Sequence, residues 1–398
     1  MEICMLKGGV NMIAPKLRFK ADDGNDFPEL EAKSLFDICE YRNKQSVGKN
    51  YVGTENMKQN FSGLESLDEE TEMKGVCYCK GDTLMSNIRP YLRKTWKADR
   101  EGVCSTDVLV FHPIDVASEY LHYLIASDKF ISYVMTGAKG VKMPRGDKEH
   151  MMKFSIMVPS LPEQQKIADF LSTIDTIIEK QQATVSAWEE RKKGVMQKLF
   201  SQEVRFKADD GSDFPDWEEK KIEELIQLYD EKVASGCELP VLTSSKKNGI
   251  EYQEEHFAGK QRHDIDGYNV LPRNYCTYRN RSDGTDFTFN INRLCDKGIV
   301  SKFYPVFKEN NCDLFFLVSL LNNEPQAVRK IAYTAKGTGQ KVLSIIDLKS
   351  IMIMMPSLPE QQKIADCLSA LDTVIQKQKE TLEKWQELKK GLLQQMFV

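Results

Sequence analysis

The sequence predicts an α+β protein in which two globular domains are separated by two long helices that form an antiparallel coiled coil, with a pseudo-two-fold internal repeat. Three observations predict this architecture. Two sequence blocks recur in the order A-B-A-B, and the longer block spaces its apolar residues as heptads over about five heptads. The inserts between the blocks alternate short β-rich stretches with apolar helical patches.

The composition is that of a globular protein with two or three domains. Of 398 residues, 41% are hydrophobic and 29% are charged, and no apolar run approaches the roughly 18 residues of a membrane span. Segment 1–16 lacks the apolar core of a signal peptide, and translation could start at Met1 or Met12. Ten scattered cysteines without metal spacing are interpreted as reduced, buried thiols of a cytoplasmic protein. The net charge of −4 means that any nucleic-acid surface must be local.

The repeat consists of a short block A and a long block B. Block A, LRFKADDGNDFPEL at 17–30, returns as VRFKADDGSDFPDW at 204–217. Block B at 160–200 returns at 357–397 with 25 of 41 positions identical, whereas the inserts differ by ten residues in length and hardly match. Two like frames around unlike inserts are typical of a duplicated reader, because a duplicated enzyme would be expected to keep its catalytic interior alike.

Block B predicts a long helix. Ser160 and Glu163 have the spacing of a capping box, and proline at 162 is tolerated in the first turn; Ser357 and Glu360 repeat the pattern. A helix of roughly 38 residues would be about 57 Å long.

The apolar positions of block B form one seam if Gln181 and Lys192, and Gln378 and Lys389, fill its gaps. We expect the two copies to pair antiparallel, because a globular domain separates them, and we expect the polar positions to fix the register. The alternative is a helical hairpin packed on a globular core. The predicted interface residues are Ile167, Leu171, Ile174, Ile178, Val185, Trp188, Ile364, Leu368, Leu371, Ile375, Leu382 and Trp385.

Each insert is interpreted as an α+β domain. The predicted strands include GVCYC at 75–79, DVLVF at 107–111, FTFNI at 287–291 and IVSKFYPVF at 299–307. The apolar patches EYLHYLIASDKFISYVM and DLFFLVSLLNNEPQAV come after strands and are predicted helices.

Basic residues cluster in both inserts, and TGAKGVK at 136–142 is mirrored by TAKGTGQK at 334–341. Glycine loops allow close backbone approach to phosphates, and arginine can bind guanine edges through two hydrogen bonds. A single run is usually a solvated face, but four runs paired across a duplication favour DNA contact. The candidates are Arg89, Arg93, Lys94, Lys139, Lys142, Arg145, Arg273, Arg279, Arg281, Lys336, Thr338, Gln340 and Lys341.

The A-B-A-B order, with PSLPEQQKIADFL and PSLPEQQKIADCL, resembles the specificity subunit of type I restriction–modification enzymes over essentially the whole chain. The lead-in RF…DFPDW also resembles that family, although Leu30 stands in the first copy where the second has Trp217. The resemblance implies target recognition domains at 13–158 and 204–355, and conserved helices at 159–203 and 356–398.

The same resemblance implies the functional roles. Each recognition domain would read one half of an asymmetric bipartite site on double-stranded DNA, while the helices set the spacing and dock two methyltransferase (modification) subunits. Motor–nuclease (restriction) subunits would join that core. The assembled complex would methylate adenine and cleave DNA, and this chain would be its non-catalytic subunit.

Catalytic motifs are missing from the sequence. It has no Asn-Pro dipeptide of an amino-methyltransferase, no P-loop of the usual form and no H-E-x-x-H. We therefore predict no catalytic residue, no metal site and no cofactor. The alternatives are a stand-alone DNA methyltransferase or nuclease with divergent motifs, which incubation with DNA and methyl donor would reveal, and a structural coiled-coil adaptor. The bases that are read and the spacer length are not predictable.

Overall fold

The computed structural model of the chain describes residues 3–5, 11–13, 15–65, 67, 69–234, 236–257, 259 and 264–397. Half of the N-terminal segment 1–16 lies outside these residues. The chain divides into two compact units, one formed by Met1–Ala183 with Lys379–Val398 and the other by Thr184–Gln378. Among the described residues, every helix is too short or too polar to span a bilayer.

The first unit is built around a four-stranded antiparallel sheet in the order β4-β10-β7-β8, beside a three-stranded sheet β5-β6-β9 and the pairs β3–β11 and β1–β2. Its elements are β1 (Ile3–Met5), β2 (Asn11–Ile13), β3 (Glu31–Ser34), α1 (Leu35–Ile38), β4 (Cys39–Arg42), β5 (Gln45–Gly48), β6 (Met73–Tyr78), β7 (Thr83–Ser86), β8 (Thr95–Lys97), β9 (Gly102–Cys104), β10 (Val108–Pro113), α2 (Ser118–Ile125), α3 (Asp128–Thr136), α4 (Lys148–Met152), β11 (Ser155–Val158) and the long helix α5 (Leu161–Phe200), which continues into the second unit.

The second unit has a four-stranded antiparallel sheet in the order β13-β21-β17-β19 and the pairs β12–β23, β14–β15, β16–β20 and β18–β22. Its elements are β12 (Glu218–Lys221), α6 (Ile222–Leu225), β13 (Ile226–Tyr229), β14 (Leu242–Ser245), β15 (Gly249–Tyr252), α7 (Gln253–His256), β16 (Asn269–Pro272), β17 (Cys276–Tyr278), β18 (Arg281–Ser282), β19 (Phe289–Ile291), β20 (Lys297–Val300), β21 (Val306–Glu309), α8 (Leu314–Asn323), α9 (Pro325–Thr334), β22 (Lys341–Val342), α10 (Ile345–Lys349), β23 (Met352–Met355) and the long helix α11 (Leu358–Met396), which continues into the first unit.

The two inserts share one topology although their sequences hardly match. In each, a strand, a one-turn helix and a second strand open the domain, and a helix pair, a glycine loop, a short helix and a closing strand end it. The opening elements are offset by 187 residues, the first helices of the pair (α2 and α8) by 196, and the elements from α3 and α9 onward by 197. Nine of the ten extra residues of the second insert therefore lie between β13 and α8, where the sheets of the two units also differ. The duplication thus extends into the inserts as architecture.

The structure refines the predicted elements of the inserts. The stretch 299–307 belongs to two strands, because Tyr304 N–H donates to Ser301 O and closes a turn between β20 and β21. The first helical patch is likewise split into α2 and α3. There the Ser127 hydroxyl caps the second helix by accepting from Phe130 N–H at 3.2 Å, as helix-capping serines do.

Each unit has its own aromatic core. In the first, Phe111 packs edge-on against Phe130 with ring centroids 6.4 Å apart, and Tyr120 contacts Phe397, the residue after the end of α11, with ring centroids 5.3 Å apart. In the second, Phe316 lies 6.1 Å from Phe200 of α5 and 6.0 Å from Trp217. Burying one such side chain contributes about 1.5–3 kcal/mol to folding. These contacts therefore stabilise the packing of the ends of the long helices against the inserts.

The two predicted long helices are confirmed as helices of 40 and 39 residues. Eight of the predicted seam residues are buried: Ile167, Leu171, Ile174, Val185, Ile364, Leu368, Ile375 and Leu382. The other four are half-buried: Ile178, Trp188, Leu371 and Trp385. Within the first unit Lys389 Nζ lies 2.5 Å from Asp175 Oδ1, and within the second Lys192 Nζ lies 2.6 Å from Asp372 Oδ1.

The predicted capping box at the start of each long helix is wrong. The hydroxyls of Ser160 and Ser357 are buried without a hydrogen-bond partner among the described residues. Glu163 is fully buried and accepts two hydrogen bonds from Arg18 of block A, at 3.1 and 2.6 Å. Glu360 accepts two from Arg205 at 3.0 and 2.8 Å. We call this repeated ion pair the Arg–Glu clasp; it joins block A to block B in each unit.

The next residues of the PEQQK motif also bind block A and the insert. Gln164 accepts from Ala117 N–H at the start of α2, at 2.9 Å, and donates to Pro159 O. Lys166 Nζ donates to Lys20 O at 2.8 Å. The second copy repeats each contact through Gln361 and Lys363. Because the glutamine reaches the insert through a backbone group, the frame can hold inserts of different sequence.

Candidate nucleic-acid interface

In each insert, a glycine loop with the same backbone closure follows the helix pair and precedes the short helix. In the first unit Lys139 and Arg145 exchange backbone hydrogen bonds of 2.8 and 2.9 Å, and in the second Lys336 and Val342 exchange bonds of 2.9 and 2.8 Å. The glycine after each lysine has a positive φ, 96° at Gly140 and 120° at Gly337. Since L-residues rarely adopt this conformation, the loops depend on glycine there. The backbone frame of the loop is therefore duplicated.

Each glycine loop is joined to a basic turn that comes after a central strand. In the first unit Ile88 forms a β-bridge with Arg145, and Arg89 N–H donates to Pro144 O at 2.8 Å. In the second, the pairing of β18 with β22 sets Arg281 opposite Val342. We define the first recognition surface as residues 87–93 with 139–145, and the second as residues 279–283 with 336–342.

The turn in the first recognition surface is strained. Arg89 and Arg93 flank the 3₁₀ turn Pro90–Leu92, with φ of 51° and 54° in the left-handed region. That region costs an L-residue roughly 1–2 kcal/mol. The turn is held in place because Phe61 N–H donates to Arg93 O at 2.7 Å. Such strained residues concentrate at functional sites, where the rest of the fold enforces them.

Several candidate cations are already paired with carboxylates. The partners are Arg93 with Asp128 at 2.7 Å, Lys139 with Asp147 at 2.7 Å, Arg145 with Asp107 at 3.1 Å and Lys336 with Asp347 at 2.5 Å. The hydrogen bond from Lys139 lowers the pKa of Asp147 to about 2, and that from Lys336 lowers the pKa of Asp347. These acids remain ionised at neutral pH, so the paired lysines are anchored and partly neutralised.

Six candidates form no ion pair or side-chain hydrogen bond within the described part of the chain: Arg89, Lys142, Arg279, Arg281, Thr338 and Lys341. Arg89, Lys142 and Arg279 are exposed, and Lys341 is half-buried. Arg281 lies over the ring of Phe303, with 4.1 Å between guanidinium carbon and ring centroid. These cations are the ones available to phosphates or base edges.

The remaining candidates differ in position. Lys94 is half-buried and donates to Thr54 O at 2.8 Å. Arg273 lies outside the second recognition surface, after β16, where it bonds Asp296 at 2.8 Å and Arg293 O at 2.9 Å. Gln340 lies in the surface and donates to Asp283 at 3.1 Å, while Thr338 is exposed at the loop tip. The DNA contacts of all thirteen candidates stay predictions.

Sequence reasoning missed two aromatic side chains at these surfaces. Tyr91 is 48% exposed between the strained arginines, and Phe303 stacks under Arg281. Both lie close to basic residues in the sequence, and this mixing of aromatic and basic residues could have marked them as part of the surfaces. Cys79 is a further difference, because it is exposed rather than buried.

Comparison with known proteins decides the family. The model of the type I restriction modification DNA specificity domain matches twice, over residues 28–186 and 215–384. The chain belongs to this family. The family match and the relatives' names confirm the resemblance seen in the sequence and the prediction of a specificity subunit rather than a catalytic one. They do not favour a stand-alone methyltransferase or nuclease.

Two specificity subunits of Methanocaldococcus jannaschii are similar to this specificity protein over most of its length. The MjaVIII subunit is 25% identical over 313 residues, 72% of each chain, and the putative MjaX subunit is 26% identical over 418 aligned positions, 92% of this chain and 93% of the relative. The EcoDI specificity subunit of Escherichia coli is 26% identical over 34% of this chain and 30% of its own.

Two solved structures share the fold. The S subunit of a type I restriction–modification system from M. genitalium has a TM-score of 0.55 at 12% identity, covering 97% of this chain and 99% of that one. A chain from a study of complex assembly and conformational transition in the type I system has a TM-score of 0.53 at 18% identity, covering 93% and 97%.

Proposed function

We propose that this specificity protein reads an asymmetric bipartite site on double-stranded DNA, with one half-site bound by each recognition surface. The main support for this proposal is that the two glycine loops share a backbone conformation but carry different side chains at their tips. The two glycine loops have the same backbone closure, and the equivalent lysine of each pairs with an aspartate at the start of the following short helix, Asp147 at the N-cap of α4 and Asp347 in the first turn of α10. The residues at the loop tips and in the adjoining turns differ. Like positions with unlike side chains suit two different base sequences.

We further propose that α5 and α11 pair as an antiparallel coiled coil that sets the distance between the half-sites. The buried seam supports this pairing. The two ion pairs, Asp175 with Lys389 and Lys192 with Asp372, support it as well. Lys192 comes after Asp175 in α5, whereas its partner Asp372 comes before Lys389 in α11 by the same number of residues. A constant register in opposite directions is the property of antiparallel helices. The polar seam positions Lys192 and Lys389 would then specify that register.

The partners are part of the same proposal. Relatives of this chain are named as specificity subunits of type I restriction enzymes, so we assign it two methyltransferase subunits and the motor–nuclease subunits as partners. The domain boundaries 13–158, 159–203, 204–355 and 356–398 belong to this proposal as well. Methylation of adenine would be carried out by the complex and directed by this chain.

The experiment reconstitutes the full chain with its methyltransferase subunits and maps methylated adenines, and affinities are then measured on the mapped duplex. We expect Arg279→Ala to weaken binding by about 1–3 kcal/mol and to relax one position of a single half-site if Arg279 contacts a base. Arg329→Ala is the matched control, because Arg329 is an exposed arginine of α9 in the same unit that lies outside the second recognition surface, and it should have little effect. Methyl transfer by the purified chain alone at the rate of the complex would contradict the proposal.

A further inference from the structure

The glycine loop of the first unit carries an exposed apolar tip that the fold does not explain. Val141 has the full exposure of an extended chain, 101%, and Met143 is 45% exposed. Both lie between Lys139 and Arg145, whose backbone hydrogen bonds close the loop. Because the base of the loop is closed and anchored, these side chains are presented to solvent in a defined place.

The equivalent loop of the second unit has no apolar tip. Between Lys336 and Val342 it carries Thr338 and Gln340, both exposed. Polar side chains at a loop tip are well solvated by water. An exposed valine side chain lacks the favourable free energy that its burial would contribute. A duplicated loop with an apolar tip in only one copy indicates that the first copy meets an apolar group that the second does not.

The surroundings of Val141 indicate what that group is. Lys142 is exposed next to it without an ion-pair partner in the described residues, and Arg89 stands in the adjoining turn, joined to the loop through Pro144 O. These cations beside the loop tip favour a polyanionic partner such as DNA, whose phosphates neutralise them. An apolar protein surface would leave their charges without a counterion. On a DNA duplex the apolar group offered at the base edges is the 5-methyl group of thymine in the major groove.

We propose that Val141 contacts a thymine 5-methyl group in the half-site read by the first unit, and that the second unit reads its half-site through hydrogen bonds at the corresponding place. The proposal rests on the DNA-reading function above and adds the chemistry of one contact. It requires at least one thymine in the first half-site.

The test replaces thymidine by 2′-deoxyuridine, which lacks only the methyl group, in one half-site at a time of a mapped target. The protein is the full chain with its methyltransferase subunits. We expect deoxyuridine at one position of the first half-site to weaken binding by about three- to tenfold, as expected for loss of a buried methyl contact. Val141→Ala should weaken binding to the thymidine duplex by a similar factor, and the combined change should add nothing further.

The control variant is Val204→Ala, a half-exposed valine of block A, which should bind both duplexes like the unchanged chain. A first half-site without thymine, equal affinity for both duplexes, or additive effects of Val141→Ala and deoxyuridine would each overturn the proposal. Additive loss would indicate that Val141 wedges between bases or contacts a protein. A complex that binds no mapped duplex would instead contradict the DNA-reading function itself.

Discussion

Arg205 and Glu360, which are 155 residues apart in the chain, form an ion pair through two parallel hydrogen bonds of 3.0 and 2.8 Å. The Glu360 carboxylate is fully buried. Arg18 and Glu163 repeat this pair in the first unit. The clasp explains why the RF and PEQQ segments persist in both copies: each is half of one buried contact that closes the ends of an insert on its long helix.

Removing the arginine of the clasp should destabilise its unit strongly. Arg205→Ala leaves the Glu360 carboxylate buried without a cation, which typically costs about 3–5 kcal/mol. Hydrogen exchange measured by mass spectrometry should show faster exchange across the second unit. The control is Asp216→Asn, because Asp216 is fully exposed and lies 3.6 Å from the same guanidinium; it should change little. Unchanged exchange in Arg205→Ala would show that the clasp is dispensable.

The conformation of the second glycine loop should depend on Gly337. Gly337→Ala adds a Cβ 2.3 Å from the carbonyl oxygen of Gln340 at a φ of 120°, so the loop must move. Gly339→Ala is the matched control, since its Cβ meets nothing within 4 Å. We expect Gly337→Ala to lower affinity for the target duplex at least tenfold, while Gly339→Ala has a much smaller effect. Equal affinities would mean that this loop does not contact DNA.

The ion pair between Lys192 and Asp372 should contribute modestly to stability. Asp372 is 44% exposed, and partly exposed pairs are typically worth about 0.2–1 kcal/mol. Asp372→Lys should therefore lower the free energy of unfolding of the second unit by about 1 kcal/mol or more through like-charge repulsion, and adding Lys192→Asp should restore most of it. A double-mutant cycle in urea measures this coupling. A coupling of zero would remove the pair as support for helix register.

The distance between half-sites should depend on the long helices. Four residues inserted after Gln182 would add about 6 Å along α5 and rotate the C-terminal part of that helix by some 40°. If the helices pair as proposed, the unread spacer should lengthen by one or two base pairs of about 3.4 Å, with both half-sites unchanged. Sequencing of methylated adenines decides this, with Gln182→Ala as the control. An unchanged spacer would show that the helices do not set the distance.

Much of the architecture could be predicted because the sequence contains two copies of each frame motif. The seam from Ile167 onward and its copy from Ile364 predicted both long helices, and the frame motifs predicted the family that the comparisons confirmed. The role of Glu163 could not be predicted, because a serine three residues before a glutamate is a local pattern. Its actual partner, Arg18, is 145 residues away.

The recognition surfaces were predicted only in outline. Basic residues near glycines marked the two loops, but the carboxylate partners of Arg93 and Arg145 lie 35 and 38 residues along the chain. Only the fold shows which cations are already paired. The exposure of Val141 was equally hidden, because an apolar residue in a loop is as easily buried as exposed.

Exchange of one insert tests whether each unit reads its own half-site. Residues 220–355 are replaced by the insert of a related specificity subunit, and methylated adenines are mapped for the reconstituted complex. Because the contacts of Gln361 and of the β12–β23 pairing use backbone groups of the insert, the frame should hold the new domain. We predict that one half-site changes while the other half-site and the spacer length stay the same. A change in both half-sites would contradict the claim that each unit reads its own half.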